Sequence, residues 1–569
     1  MSPDKKPRAT GFKNVLVGNA ARRVAVTKRE SQERLQEKTQ AIESGSASQQ
    51  ITVIPPVTDP NLEEIEFRPI REPYSFVRIF LDNAKNTFYY EVIEPTLTKK
   101  EKELLEDLRE SIKTSMEYNA EVEDHKAKEE YIRKTIDALL LARGYDVSEL
   151  SKERVVYYLL RDFVGWGKLE MLMQDPQIED ISCDGTRIPL YIFHRKHQAM
   201  PSNIRFETDT ELDSFVIQTA VRCGKHISVA SPLLDATMPD GSRLQATLAR
   251  EVTTRGSSFT IRRFRDNPFT PVDLIKFKTM TTEVMAYLWL AIEHGESMFV
   301  VGGTASGKTT TINAILLFIP PQMKIVSIED TREINIPHEN WIAGLTREAI
   351  GGSDIDMFEL MKAAMRQRPN YMIVGEVRGK EAYTLFQAMA TGKTVYSTIH
   401  ADSVRSMVHR LENPPISLPR LLLSSLNLVY LQAQVKVGKS ASRRMKALVE
   451  IVGIEPETNE LITNTVFSWN PANDLFVFSG HSFLFEKIKS AKNFNSDQMR
   501  EEYLRRIDIL NYMVKSGIDN HRRVAAMINA YYRSPESLMR EVYLKLYNQD
   551  TRPTDIEDTI PIQGGESEY

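Results

Sequence analysis

The stretch FVVGGTASGKTTTINAILLFIPP, residues 299–321, decides how the chain is read. An apolar run meets a glycine turn, a helical pattern follows, and two prolines stop it, so the order is strand, loop, helix. The spacing fits G-x-x-x-x-G-K-[ST] at Gly302, Gly307, Lys308 and Thr309. Glycines let the backbone wrap an anion and aim its N–H groups at it, and the start of the helix adds partial positive charge. Residues Gly302, Gly303, Thr304, Ala305, Ser306, Gly307, Lys308, Thr309 and Thr310 are therefore expected to surround the phosphates of ATP. Lys308 should reach the β- and γ-phosphates, and the Thr309 hydroxyl should ligate Mg²⁺.

Such a loop needs acidic partners on neighbouring strands. YMIVGEVRG, 371–379, supplies an apolar strand ending in Gly375 and Glu376; the aspartate usual at the end of such a strand is replaced by Gly375. KIVSIEDTREI, 324–334, ends in Glu329, Asp330 and Glu333. These carboxylates and Glu376 would hold Mg²⁺, through water, and polarise an attacking water, with Thr309 and Glu376 as the metal-side residues. Which of Glu329 and Glu333 is the general base stays open. TVYSTIHADS, 394–403, places His400 at a comparable strand end, where it would sense the γ-phosphate or bridge domains.

The rest of the chain sets bounds. Its 569 residues allow two to four domains, and 41% hydrophobic with 26% charged residues is ordinary globular composition. Two cysteines, Cys183 and Cys223, exclude a disulfide scaffold and a four-cysteine zinc module. The richest apolar run, Val284–Ile292, falls short of a membrane span, and no signal peptide opens the chain, so a cytoplasmic protein is expected. Residues 1–68 read as a disordered basic arm, in which Lys5, Lys6, Arg8, Lys13, Arg22 and Arg23 have no acidic residue among them. It is either a solvated tail or a contact for anionic lipid or an acidic partner.

Residues 69–265 read as a mixed α+β domain. LTKKEKELLEDLRESIKTSMEY carries a helical pattern, and strands flank the Asp184–Gly185 and Asp240–Gly241 turns, with SSFTIRRF completing the sheet. Residues 266–271, with Pro268 and Pro271, read as a linker. Residues 272–480 alternate short apolar strands with helices, as a parallel α/β sheet does. Residues 481–550 read as a helical extension and 551–569 as an acidic tail.

The order of phosphate loop, IEDTREI, GEVRG and STIHADS resembles the secretion ATPase superfamily of type II and type IV systems, across about Leu169–Gly480. A glycine before the glutamate of GEVRG belongs to that family's pattern. The wording of residues 345–392, and EDISCDG earlier, is similar to the archaeal branch, which includes archaellum motors and pilus or secretion ATPases. The resemblance implies a RecA-like P-loop ATPase domain behind the α+β domain, and Mg²⁺-dependent ATP hydrolysis by a homohexameric ring. It also implies a polytopic membrane platform protein as partner, peripheral placement at the inner face of the cell membrane, and work on a type IV pilus-like, archaellum or type II-like secretion filament. Arginines of the preceding domain reach the nucleotide in that family, and Arg243, Arg250, Arg262 and Arg263 are the candidates here. Two features depart from relatives: the four-cysteine insert of many bacterial members is missing, and the helical region after His481 is longer than in compact archaellum motors. The alternatives are a nucleotide-binding scaffold and a DNA-transfer motor. Net charge of −4 and no basic aromatic stripe argue against a nucleic-acid channel.

Overall fold

The computed structural model describes residues 51–116, 125–264, 267–347, 354–438 and 440–553. The basic cluster Lys5–Arg23 and the tail from residue 554 lie outside the described residues. The chain divides into two compact units, Met1–Pro239 with Leu244–Arg263, and Asp240–Arg243 with Phe264–Tyr569.

The first unit opens with an antiparallel meander, β1 (Leu62–Arg71), β2 (Ser75–Asp82) and β3 (Thr87–Ile93). β1 begins inside the segment read as the arm, because its pairing with β2 runs back to Leu62↔Asp82. Alternate residues Val77 and Ile79 of β2 and Tyr90 and Val92 of β3 are buried, as one covered sheet face requires. Helices Lys99–Met116, His125–Arg143 and Glu149–Phe163 follow and pack on one another through Leu104, Leu108, Ile112, Ile132, Ile136, Val155 and Leu159. The charged helix of the sequence reading is thus exposed on one stripe and buried on the other. A six-stranded sheet comes next: β4 (Ile178–Cys183), β5 (Tyr191–His194), β6 (Gln198–Pro201), β7 (Leu233–Thr237), β8 (Arg243–Thr247) and β9 (Ser258–Arg262). Its order is β6-β5-β4-β9-β8-β7. Both Asp-Gly turns fall between strands of this sheet, as expected.

The second unit is built on nine strands: β10 (Met298–Gly302), β11 (Ile325–Glu329), β12 (Trp341–Leu345), β13 (Tyr371–Val374), β14 (Thr394–Ile399), β15 (Leu428–Val437), β16 (Ser440–Ile454), β17 (Leu461–Asn470) and β18 (Leu475–Phe478). The order is β12-β11-β13-β14-β10-β15-β16-β17-β18. The first six are parallel and the pairs from β15 to β18 antiparallel. The inner parallel strands β10, β11, β13 and β14 are buried on both faces, while the edge strand β12 is partly exposed. Met298 and Val300 of β10 and Tyr371 and Ile373 of β13 point into one apolar layer, while Phe299, Val301, Met372 and Val374 point into the other.

Helices Met357–Arg366, Glu381–Ala390 and Val404–Glu412 cover the second layer. Over the first lies helix Thr282–Glu293, of which Thr282 and every residue from Val284 to Ile292 are buried. The longest apolar run of the sequence is thus a core helix, covered on its outer side by helices Ser496–Lys515 and His521–Arg533, on which helix Pro535–Tyr547 packs in turn. Tyr503, Leu510, Val524, Ile528 and Val542 share a cluster with Trp289 and Ile292, so the helical extension is a layer of this unit's core. Pro271, read as linker, is the first residue of helix Pro271–Lys276, which begins in a Thr270–Asp273 capping box. Among the described residues no helix is long and apolar enough to cross a membrane.

Candidate active site

Because β11, β13, β14 and β10 are neighbours and parallel, their C-terminal ends share one edge of the sheet, where open α/β folds bind ligands. β10 runs into the 302–308 loop, β14 into His400, β13 into Gly375–Glu376 and β11 into Glu329–Asp330. Topology alone therefore gathers the four sequence motifs.

The loop has the shape of an anion cradle. Ala305 has φ +57° and Gly307 φ +93°, and Gly307 stands just before helix Lys308–Ile315 with no side chain capping its first N–H groups. At Gly302 a Cβ would lie 2.3 Å from the Gln432 carbonyl oxygen and 2.6 Å from Ser306 Oγ, so only glycine lets the backbone pass here. The Lys308 ammonium donates to the carbonyls of Gly302, 3.0 Å away, and Gly303, 2.9 Å away. Burial lowers its pKa, and Glu376 and Glu333 pull the other way.

The two glutamates of the IEDTREI segment differ in kind. Glu329 is 2% exposed, and its Oε1 accepts the N–H groups of Glu333 at 3.0 Å and Ile334 at 2.9 Å. Its Oε2 is buried with no hydrogen-bond partner, and burial pushes its pKa up to about 7. Glu329 therefore fixes the backbone that presents Glu333. The Glu333 carbonyl is held again by Asn313 of the phosphate-loop helix at 2.8 Å, and Asn313 Oδ1 accepts the Asn335 N–H at 2.8 Å. The missing aspartate has a reason here. A Cβ on Gly375 would stand 3.5 Å from Glu329 Cγ, setting a second carboxylate beside one whose pKa burial already raises.

Glu376 accepts from Arg378 Nε at 2.9 Å, and Arg378 also lies 3.7 Å from Asp330. Burial, with Lys308 next in strength, lowers the His400 pKa, so the ring is neutral near pH 7; Arg410 donates to the His400 carbonyl at 2.9 Å.

These groups fit a magnesium nucleotide. The cradle offers backbone N–H groups and a lysine to phosphates, and the remaining donors, Thr309, Glu376, Asp330 and Glu333, are hard oxygens of the kind Mg²⁺ prefers. Among the described residues no group of three or more His, Cys, Asp or Glu could hold a metal unaided. Mg²⁺ commonly takes only one or two protein carboxylates and completes its shell from phosphates and water.

The four arginines lie on or next to strands β8 and β9. Arg243 opens β8. Arg250 pairs with Asp209 at 3.1 Å and Arg262 with Asp180 at 3.6 Å, both on exposed side chains. Arg263 donates to the carbonyls of Leu172 and Met173 at the end of helix Glu170–Gln174. Three residues of the loop's surroundings were not read from the sequence: Asn313, Gln432 and Arg443. Gln432 accepts from Thr311 at 2.7 Å, and Arg443 Nε donates to the Ala305 carbonyl at 3.1 Å. No local spacing marks the latter two, since they arrive from β15 and β16, more than a hundred residues on.

The family described as Type II/IV secretion system protein matches residues 170–545. An uncharacterized protein of Methanocaldococcus jannaschii is 41% identical over 386 residues, 67% of this chain and 70% of that one. The type IV secretion system protein PtlH of Bordetella pertussis is 29% identical over 269 residues, 41% of this chain and 79% of its own. Among solved structures, the ATPase DotB of Legionella pneumophila is 19% identical with a TM-score of 0.37, covering 50% of this chain and 79% of that one. With a matching stretch that takes in the phosphate loop, both acidic segments and His400, the chain belongs to the type II/IV secretion system protein family.

Proposed function

We propose that the second unit hydrolyses ATP with Mg²⁺ and that the chain is a ring-forming motor, a homohexamer, of a pilus-like, archaellum or type II-like secretion system. The observation that carries the catalytic part is Lys308, a half-buried cation bonded only to carbonyls of its own loop in a cradle of N–H donors. Lys308 exchanges those carbonyls for β- and γ-phosphate oxygens, and the start of helix Lys308–Ile315 binds the remaining charge. Thr309 and Glu376 would hold Mg²⁺, which supplies charge neutralisation on the phosphates. Glu333 accepts the proton of the attacking water, and Glu329 keeps it in position through the two backbone bonds. His400, neutral at its strand end, reads the γ-phosphate.

Of the four arginines, Arg250 is held by an exposed ion pair worth at most about 1 kcal/mol, so it can leave for a phosphoryl group, and Arg262 pairs with Asp180 on exposed side chains. Arg263 caps a helix and is the least free to move. Work at the inner face of the cell membrane, with a polytopic platform protein as partner, follows the family and is part of the same proposal.

Steady-state turnover of the purified chain, beside the Lys308→Ala and Glu376→Gln variants, tests the reading. Turnover in the wild type alone, with ATP still bound by Glu376→Gln, is the expected result. ATP binding without turnover in the wild type would make the chain a nucleotide-binding scaffold instead.

A further inference from the structure

The last residue pair between β10 and β15 is Gly302↔Gln432. Beyond it β15 continues to Val437, paired only with β16 through Ala433↔Arg444, Gln434↔Arg443 and Val435↔Ser442. This two-stranded ribbon therefore overhangs the C-terminal edge of the parallel sheet, on the side where the phosphate loop turns.

Three contacts fasten it there. The Gln432 carbonyl is what a Cβ at Gly302 would strike. The Gln432 side chain meets Thr311 of the loop helix, and a Cβ at Gly307 would lie 3.1 Å from its Nε2. Arg443 crosses the loop: its Nε donates to the Ala305 carbonyl, and a Cβ at Gly307 would lie 3.0 Å from its Cδ. The arginine thus touches the two left-handed residues that shape the cradle, Ala305 and Gly307. Its bond to Ala305 uses Nε alone. The two terminal nitrogens of the fork remain at the loop crest, on an exposed side chain.

We propose that Arg443 is a phosphate-binding residue of the nucleotide site, delivered in cis by the overhanging β15–β16 ribbon. The proposal rests on the reading of the 302–309 loop as a nucleotide site. Lys308 is then one of two cations the same unit brings to the phosphates, one from the loop and one from across the sheet. A planar guanidinium suits the second place, because it can keep Nε on the Ala305 carbonyl while its terminal nitrogens meet phosphate oxygens.

The test is equilibrium affinity of the full chain for ADP and ATP, read by calorimetry and by the rise in melting temperature that ADP induces. Arg443→Ala should weaken both nucleotides about tenfold, the loss of one charge-assisted contact, with the melting temperature of the free protein unchanged. Arg443→Gln keeps a donor for the Ala305 carbonyl but no charge. It should bind as weakly as Arg443→Ala; wild-type affinity in the Gln variant would make Arg443 a strut of the loop and overturn the proposal. Lys308→Ala is the control. If it weakens ADP while both Arg443 variants bind within twofold of wild type, the proposal fails and the loop reading stands. If none of the variants weakens binding, the loop reading fails and takes the proposal with it.

Discussion

Lys308 and Arg506 are cations of the same unit, and their surroundings are opposite. Arg506, 2% exposed, is bonded to Glu293, reaches Glu502 at 2.8 Å and the Tyr531 hydroxyl at 3.4 Å, and lies 5.6 and 5.1 Å from the ring centres of Trp289 and Tyr531. Lys308 donates to two backbone carbonyls, and burial lowers its pKa while Glu376 and Glu333 pull the other way. One cation is matched by carboxylates and aromatic faces and joins helix Thr282–Glu293 to the C-terminal helices. The other is matched only in part, at an edge that also holds an unpartnered carboxylate oxygen on Glu329. Arg506 Nε is itself buried without a hydrogen-bond partner, so the difference lies in charge: charge matched by carboxylates belongs to architecture, and charge left unmatched marks where a ligand's charge is wanted.

Substitutions can break or sharpen that contrast. Lys308→Ala should lower turnover by at least about a thousandfold, roughly 4 kcal/mol of transition-state stabilisation, while leaving unfolding by urea nearly unchanged. A variant that unfolded early would mean Lys308 is architectural after all. Arg506→Ala should do the reverse. Leaving Glu293 and Glu502 without their partner costs about 3–5 kcal/mol of stability, seen in urea unfolding, with turnover per folded molecule close to wild type.

Glu329 gives a pH signature. Its pKa is raised from 4.5 to about 7, so the folded chain binds more protons than the unfolded one between those values, and this group's contribution to stability is lost as pH rises through that window. Glu329→Gln removes that loss. The variant's stability relative to wild type should improve by about 2–3 kcal/mol between pH 4.5 and pH 8; a difference independent of pH would show that the carboxyl is not held protonated. The smallest effect is expected at Arg250 and Arg262. Ala at either should shift stability by under about 1 kcal/mol, so a fall in turnover there would report chemistry and not folding, and unchanged turnover would remove both from the site.

The same contrast explains what could be read in advance. The phosphate loop, GEVRG and STIHADS are legible because each couples a short strand to a backbone or charge requirement within a few residues, as at Gly307 with its positive φ. The parallel sheet was legible from strand and helix alternation. The roles of Glu329 and Glu333 were not separable, because the two bonds that distinguish them are backbone contacts set by a turn. Gln432 and Arg443 were invisible for another reason. They reach the loop by strand pairing, and pairing between β10 and β15 leaves no trace in the residues near either end. The start of β1 at Leu62 was missed since LEEIEFRPIR is charged and carries only a weak apolar alternation. The C-terminal helices were recognised as helices, but nothing in their own periodicity names helix Thr282–Glu293 as what they cover.

That coverage has a consequence during synthesis. Helix Thr282–Glu293 leaves the ribosome well before Arg506, Tyr531 and Tyr532, which pack against Trp289 on its outer side. At about 5–20 residues per second, the ~200 residues between it and helix Ser496–Lys515 take about 10–40 s to translate. Through most of that interval a nascent chain that already contains residues 302–309 still carries a bare, tryptophan-bearing apolar surface. Chaperone occupancy should concentrate there, and any stop codon before residue 496 would make the exposure permanent.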